Sequence, residues 1–225
     1  MNEFAVVSEG VTDFHVLKNV LLGWFKDQNA EPFLKPYQPD PSADGQSTWQ
    51  KHGTWENVIR YLKEKKYYAA LEHADFLLVQ IDSDMSEHPN FGVPQHDGGR
   101  PFEPPIMVQQ IAAKLREVIG ESDLKFYGER IIFAICVREI ECWLLPLWDN
   151  QKASKCEGCT DTLNRALSRQ NERCINPERK EPRHYDEISK GYKKRKTLLE
   201  DGRLNPSLAI FLNELERRCI VLSAE

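Results

Sequence analysis

The chain has 225 residues and a formal charge of −5, with 40% hydrophobic and 29% charged residues, an ordinary balance for a globular protein. That length buries one substantial core, so one domain with an extension is expected rather than two full domains. No apolar stretch approaches the roughly 20 residues that span a bilayer, and "MNEFAVVSEG" has no basic segment leading into a long apolar one; no membrane partner is expected, and the expected compartment is the cytoplasm.

Residues 4–8 are apolar on both faces, the pattern of a strand in a covered parallel sheet. Phe14, Leu17, Val20, Leu21 and Trp24 then recur at helical spacing, which predicts an amphipathic helix over 12–25 with Ser8 or Thr12 as its cap. "PFLKPYQP" reads as an edge strand, because its prolines remove ladder donors, and "PSADGQSTWQKHG" reads as loop. Thr54 is expected to cap a second helix through Val58, Tyr61, Leu62 and Tyr68. "DFLLVQI", residues 75–81, is the strongest buried strand. It ends in "DSDMSEHPNFGVPQHDGGRPFEPP", a loop long enough to suggest function. A third helix is expected over 106–119. "RIIFAICV" is a further buried strand that runs straight into "REIECWLLPLW". Three more helices are expected beyond Asp149: over 160–169, around 184–200 and over 206–218.

Strands alternating with helices at this rhythm predict an α/β fold. Its core is a mostly parallel four-stranded sheet covered by helices, residues 1–150, with a basic C-terminal helical extension, 151–225, packed on it. Up to Asn150 the chain carries 14 Lys and Arg against 23 Asp and Glu, a net of −9; from Gln151 the counts are 16 against 12, a net of +4. The basic half either meets a polyanionic partner or is a solvated helix surface.

Six cysteines in a chain of this length do not make a disulfide framework. Cys136 and Cys142 lie in or beside apolar runs and are expected as core thiols. "CEGC", residues 156–159, has a spacing that suits zinc or redox chemistry, and Cys174 and His184 follow as two further ligands. No second close pair exists, so free thiols in a loop are expected at Cys156 and Cys159 in preference to a structural Zn2+.

Parallel sheets place their sites just past the strand carboxyl ends. The residues found there are Glu9 after the first strand, Asp82 and Asp84 after the central one, and Arg138, Glu139 and Glu141 after the last. Asp82 and Asp84 are two apart, so in extended chain both side chains leave on the same side. Carboxylates held close repel unless a cation lies between them. Mg2+ (or Mn2+) prefers oxygen ligands, and three or four carboxylates suit two ions roughly 4 Å apart, the arrangement that serves phosphoryl transfer. Gly10 leaves the turn free of a side chain, and the following helix offers free N–H groups to a phosphate. Asp13 either holds a metal or its water, or complements the helix dipole. "SKGYKKRKTLL" supplies dense positive charge through Lys190, Lys193, Lys194, Arg195 and Lys196. Lys190 or Lys193 is placed to stabilise charge in a transition state. Tyr192 either stacks on a base or packs on the core.

A Glu-Gly turn after the first strand, spelled "SEGVTD", with Asp-x-Asp after a later one, spelled "LLVQIDSD", resembles the TOPRIM domain. The resemblance covers about residues 3–150. "VREIECWLL" and the tail "KGYKKRKTLLEDGRLNPSLAIFLNEL" are similar to segments of small stand-alone TOPRIM-like proteins related to OLD-type nucleases. The resemblance implies a metal-dependent nuclease for DNA or RNA, with Glu9 as metal ligand or general base and Asp82 and Asp84 as ligands. It makes Glu139 or Glu141 a further ligand, without choosing between them. Arg138 would contact phosphate or pair with a neighbouring acid. Trp143, Leu144 and Leu145 are expected in the core. Proteins of this kind resemble anti-phage effectors encoded beside ATPases, so the alternative is a subunit silent until an ATPase partner activates it. This chain has no phosphate-binding Gly-x-x-x-x-Gly-Lys-Ser/Thr loop of its own. A phosphatase of Asp-x-Asp type would need a nucleophilic aspartate after the first strand, where Glu9 stands.

Overall fold

Six strands form in the computed structural model, which describes residues 2–28, 30–39 and 54–222. They are β1 (Glu3–Val7), β2 (Phe33–Gln38), β3 (Phe76–Asp82), β4 (His96–Asp97), β5 (Arg100–Pro101) and β6 (Ile131–Cys136). Four of them make one sheet in the order β2-β1-β3-β6, every pairing parallel. The short β4 and β5 form a separate antiparallel hairpin in the long loop after β3. Edge strand β2 carries Pro36, where a missing N–H is tolerated. The expected loop "PSADGQSTWQKHG" lies outside the described residues.

The helices are α1 (Val11–Trp24), α2 (Trp55–Lys63), α3 (Tyr67–His73), α4 (Pro104–Ile119), α5 (Glu121–Tyr127), α6 (Glu141–Trp148), α7 (Cys159–Arg169), α8 (Pro182–Ser189), α9 (Arg195–Glu200) and α10 (Pro206–Arg218). None of the described helices is long and apolar enough to cross a membrane. Strand side chains alternate between faces, and the core divides accordingly. Phe4, Val6, Leu78, Ile132 and Ala134 pack with α1 and the C-terminal helices, among them Leu163, Tyr185, Leu208 and Phe211. Ala5, Val7, Leu77, Val79, Ile81 and Ile135 pack with Val58, Leu62, Tyr67, Ile111 and Leu115 of the intervening helices. Each fully buried aliphatic or aromatic side chain contributes roughly 1.5–3 kcal/mol.

Three local expectations are corrected. Neither Ser8 nor Thr12 caps α1; the N-cap is Gly10, whose N–H donates to Asp13 Oδ2 at 2.7 Å. Thr54 holds the N-cap position of α2 with no side-chain hydrogen bond. The helix expected around 184–200 divides into α8, a 3-10 turn at Lys190–Lys193, and α9. The division follows from packing, because Tyr192 is buried and its carbonyl rests against Gly23 of α1. In α6, Pro146 leaves the Cys142 carbonyl without its helical donor, and Asn205 Nδ2 supplies one at 3.1 Å.

Candidate active site at the carboxyl edge of the sheet

Gln80 and Asp82 share a face of β3 with Leu78, two residues apart each time. Gln80 is fully buried, between the apolar residues 76–79 and Ile81 of β3. Its Oε1 accepts from the Glu9 N–H at 3.0 Å, and its Nε2 donates to Asp82 Oδ1 at 2.8 Å. The amide therefore ties the end of β1 to the end of β3. Glu9, half-buried, returns across the same gap and accepts from the Asp82 N–H through Oε1 at 2.7 Å. Asp82 Oδ2 accepts from the Ile140 N–H at 3.3 Å, which brings in the segment after β6. Asp84, two residues beyond Asp82, is exposed; its N–H donates to the Arg138 carbonyl at 3.1 Å.

Gly10 is extended, at φ −137°, so its glycine is not required by backbone conformation. A Cβ there would sit tightly, 3.0 Å from Asp13 Oδ2. Asp13 thus serves as a helix cap at the rim of the acidic cluster, and it is buried.

Glu141 opens α6 and is completely buried. Its Oε1 takes Lys180 Nζ at 2.7 Å and a hydrogen bond from the Tyr185 hydroxyl. Its Oε2 has no hydrogen-bond partner. Glu139, two residues earlier, turns toward α7 and accepts from the Thr160 N–H at 2.8 Å. The two glutamates that the sequence leaves equivalent are therefore separated: Glu141 faces Asp13 and Asp82, and Glu139 caps α7.

The carboxylates of the cluster repel one another, which adds to burial in opposing their charged forms. Burial pushes Asp82 well above the usual carboxylate range, reinforced by the charges of Glu9, Asp13, Glu141 and Asp84. Glu9 is raised by burial, against the Asp82 N–H, and further by Asp13 and Asp84. Asp13 is pushed up to about 7, chiefly by burial, with Lys180 opposing and Glu141 adding to the rise. Burial disfavours the Lys180 ammonium, but Glu141, Asp13 and Asp82 more than offset that and hold its proton tightly.

Lys180, in the segment before α8, is thus the lysine brought to the carboxylates, in place of the expected Lys190 or Lys193. Lys190 is exposed, and Lys193 Nζ lies 3.6 Å from Asp186. Tyr192 offers no face to a base: it is buried and its hydroxyl donates to the Trp143 carbonyl. Trp143, Leu144 and Leu145 are buried as expected. Arg195 anchors α9 to α1, pairing with Asp27 at 2.9 Å, donating to the Trp24 carbonyl and lying over the Trp24 ring. Lys194 and Lys196 are exposed. Arg138 pairs with an acid, Glu157, at 2.8 Å, and also donates to Gln95 Oε1.

The cysteines depart from expectation. Cys142 and Cys159 are not free thiols; they form a disulfide with S–S 2.14 Å that joins the start of α6 to the start of α7. Cys136 is a buried free thiol, as expected. Cys156 is a half-buried thiol raised to about 11, mainly by burial. Among the described residues, Cys156, Cys159, Cys174 and His184 do not gather into a metal-sized group. Glu139, Cys142 and Cys159 do, with ligand atoms within 4.8 Å of one another. A metal-sized Glu/Cys/Cys cluster in an α/β fold is consistent with a metal-dependent enzyme, although oxidised sulfurs are poor ligands because a metal binds the thiolate. The strand-end carboxylates do not close to that distance in any group of three among the described residues. They are hard oxygen donors, and Mg2+ commonly keeps several waters while using only one or two carboxylates. An open rim of acids with a buried, unpartnered Glu141 oxygen fits such an ion.

Sequence reasoning missed Gln80, Lys180 and Tyr185. Gln80 had a signal, being the one amide inside "FLLVQID". Lys180 sits among ordinary surface charges in "PERKEPRHY" and had none. No protein-family model, curated protein or solved structure matched the chain.

Proposed function

We propose that this chain is a divalent-metal-dependent nuclease of TOPRIM type, hydrolysing phosphodiesters of DNA or RNA as an effector in anti-phage defence. The observation that carries this reading is the gathering of Glu9, Asp13 and Glu141 around Asp82, from two strand ends and the first turns of α1 and α6, close enough for their charges to act on it. Like charges gathered in this way favour a cation strongly. Glu9, Asp82 and Asp84 would hold Mg2+ or Mn2+, with Glu141 behind them. Bound there, such ions supply Lewis-acid polarisation of a phosphoryl oxygen and stabilisation of developing charge.

The chain's own groups do the rest. Glu9, where it is not itself a ligand, would accept a proton from the attacking water as general base. Gln80 fixes Glu9 and Asp82 relative to each other. Lys180 supplies a permanent positive charge beside Glu141, and Arg138 offers a guanidinium at the outer side. Incubating the purified protein with single- and double-stranded DNA and RNA, in Mg2+ or Mn2+, tests the reading. Asp82→Asn is expected to lower cleavage at least about a hundredfold, the scale on which removal of an electrostatic catalytic group acts. Equal cleavage by wild type and variant rules the assignment out.

A further inference from the structure

Glu139, Cys142 and Cys159 are none of the proposed Mg2+ ligands, yet one ligand atom of each lies within 4.8 Å of the other two. We propose that these three side chains hold a Zn2+ ion once the cysteine pair is reduced. The Cys142–Cys159 disulfide is then the metal-free, oxidised form of the same joint between α6 and α7. The inference does not depend on the nuclease reading.

Spacing, donor type and surroundings support it. Zn–S bonds of about 2.3 Å and Zn–O bonds of about 2.0–2.2 Å set the donors of a tetrahedral site roughly 3.5–3.8 Å apart. The three donors already lie within a slightly wider span, so opening the S–S bond and turning the side chains reaches that spacing. Two thiolates and one carboxylate suit Zn2+, whereas Mg2+ takes oxygen alone. The two kinds of ion therefore sort to different places in the chain.

Each donor is held in position. Cys159 opens α7 and Cys142 lies in the first turn of α6, where free N–H groups and the helix dipole favour negative charge. The Cys142 N–H donates to the Glu139 carbonyl at 3.0 Å, which fixes the glutamate beside that turn. Glu139 Oε1 accepts from the Thr160 N–H at 2.8 Å, next to Cys159. A ligand carboxylate with a hydrogen bond of its own is the usual arrangement around a metal. Both cysteines are completely buried, which keeps an ion out of bulk water and strengthens its attraction to the three anions. A fourth position is left to water, as in other zinc sites of three protein ligands.

The exchange balances with a thiol reductant. Two small thiols give two electrons and two protons to the Cys142–Cys159 bond, leaving two cysteine thiols and one small disulfide. Zn2+ then displaces both protons to water as it binds the thiolates. In reverse, hydrogen peroxide takes two electrons from the thiolates and consumes two protons. The S–S bond re-forms, the peroxide becomes two waters, and the ion is released.

The test uses the full chain with Cys156→Ser, Cys174→Ser and Cys219→Ser, which removes the free thiols that are not fully buried. This protein is reduced with a phosphine in urea and refolded with Co2+, a spectroscopic stand-in for Zn2+, and an oxidised sample is carried through alongside. The reduced chain is expected to bind one equivalent of Co2+, with thiolate-to-metal charge-transfer absorption and the intense visible bands of a four-coordinate ion. Zn2+ should abolish both signals, and excess Mg2+ should leave them. The oxidised chain should show neither. Glu139→Gln, which keeps an acceptor for the Thr160 N–H, should weaken Co2+ binding at least about tenfold, because loss of even a partner that only orients a ligand costs about 10- to 100-fold. A reduced chain that fails to refold with metal, refolds without taking up Co2+, or binds it as tightly after Glu139→Gln overturns the proposal.

Discussion

Glu9, Asp13 and Asp82 all bind their protons more tightly folded than free, because burial and mutual repulsion oppose their charged forms. A native state that holds more protons than the unfolded chain loses stability as pH rises. The contribution is fully present below the unfolded carboxylate value of about 4. It is lost as pH climbs through the folded value, about 7 for Asp13. In EDTA, the melting temperature should therefore fall between these limits. A divalent cation, binding the ionised form, should flatten the slope and raise the melting temperature more at pH 8 than at pH 5. A magnesium shift equal at both pH values would contradict cation binding by these acids. At this scale the strand-end acids were legible in the sequence, because a polar residue ending an apolar strand is a local signal. The choice between Glu139 and Glu141 was not. It is made by a helix start in one case and by Lys180 and Tyr185 in the other, both far along the chain.

At the scale of elements, the joint between α1 and the turn at Lys190–Lys193 shows how packing overrules periodicity. Residues 184–200 have the composition of one helix, yet a continuous helix would carry Tyr192 away from the core it fills. Gly23 permits the close approach, since a Cβ there would overlap the Tyr192 carbonyl oxygen. Both partners are backbone, so neither yields by a rotamer change. Gly23→Ala should cost about 1–3 kcal/mol, the usual range for overpacking a tight contact, measured by urea unfolding. A variant as stable as wild type would show that α1 and the turn slide apart freely. The disulfide between α6 and α7 was equally hidden, because Cys142 reads as one more apolar-run cysteine and its partner is 17 residues away.

Across the whole molecule, one face of the sheet belongs to the C-terminal half. Phe4, Val6, Leu78 and Ile132 are buried by Leu163, Tyr185, Leu208 and Phe211. Leu17 and Val20 of α1 share the same cluster. A chain ending at Asn150 would expose much of this surface and lose the Lys180 and Tyr185 contacts to Glu141. It should show no cooperative thermal transition and should bind an apolar dye, as a loosely packed state does. A sharp transition in that fragment would mean that residues 1–150 fold independently.

Periodicity and strand-end chemistry are local properties, so the sequence by itself determined the alternation of strands and helices, the parallel sheet and most acids of the rim. Tertiary structure alone decided which distant groups complete that rim: Lys180 over Lys190 or Lys193, Tyr185 on Glu141, Gln80 between two strand ends. It also decided that Cys142 and Cys159 meet. These outcomes depend on how helices from opposite ends of the chain stack on one sheet face, and no spacing along the chain encodes the distance between residues brought together by packing.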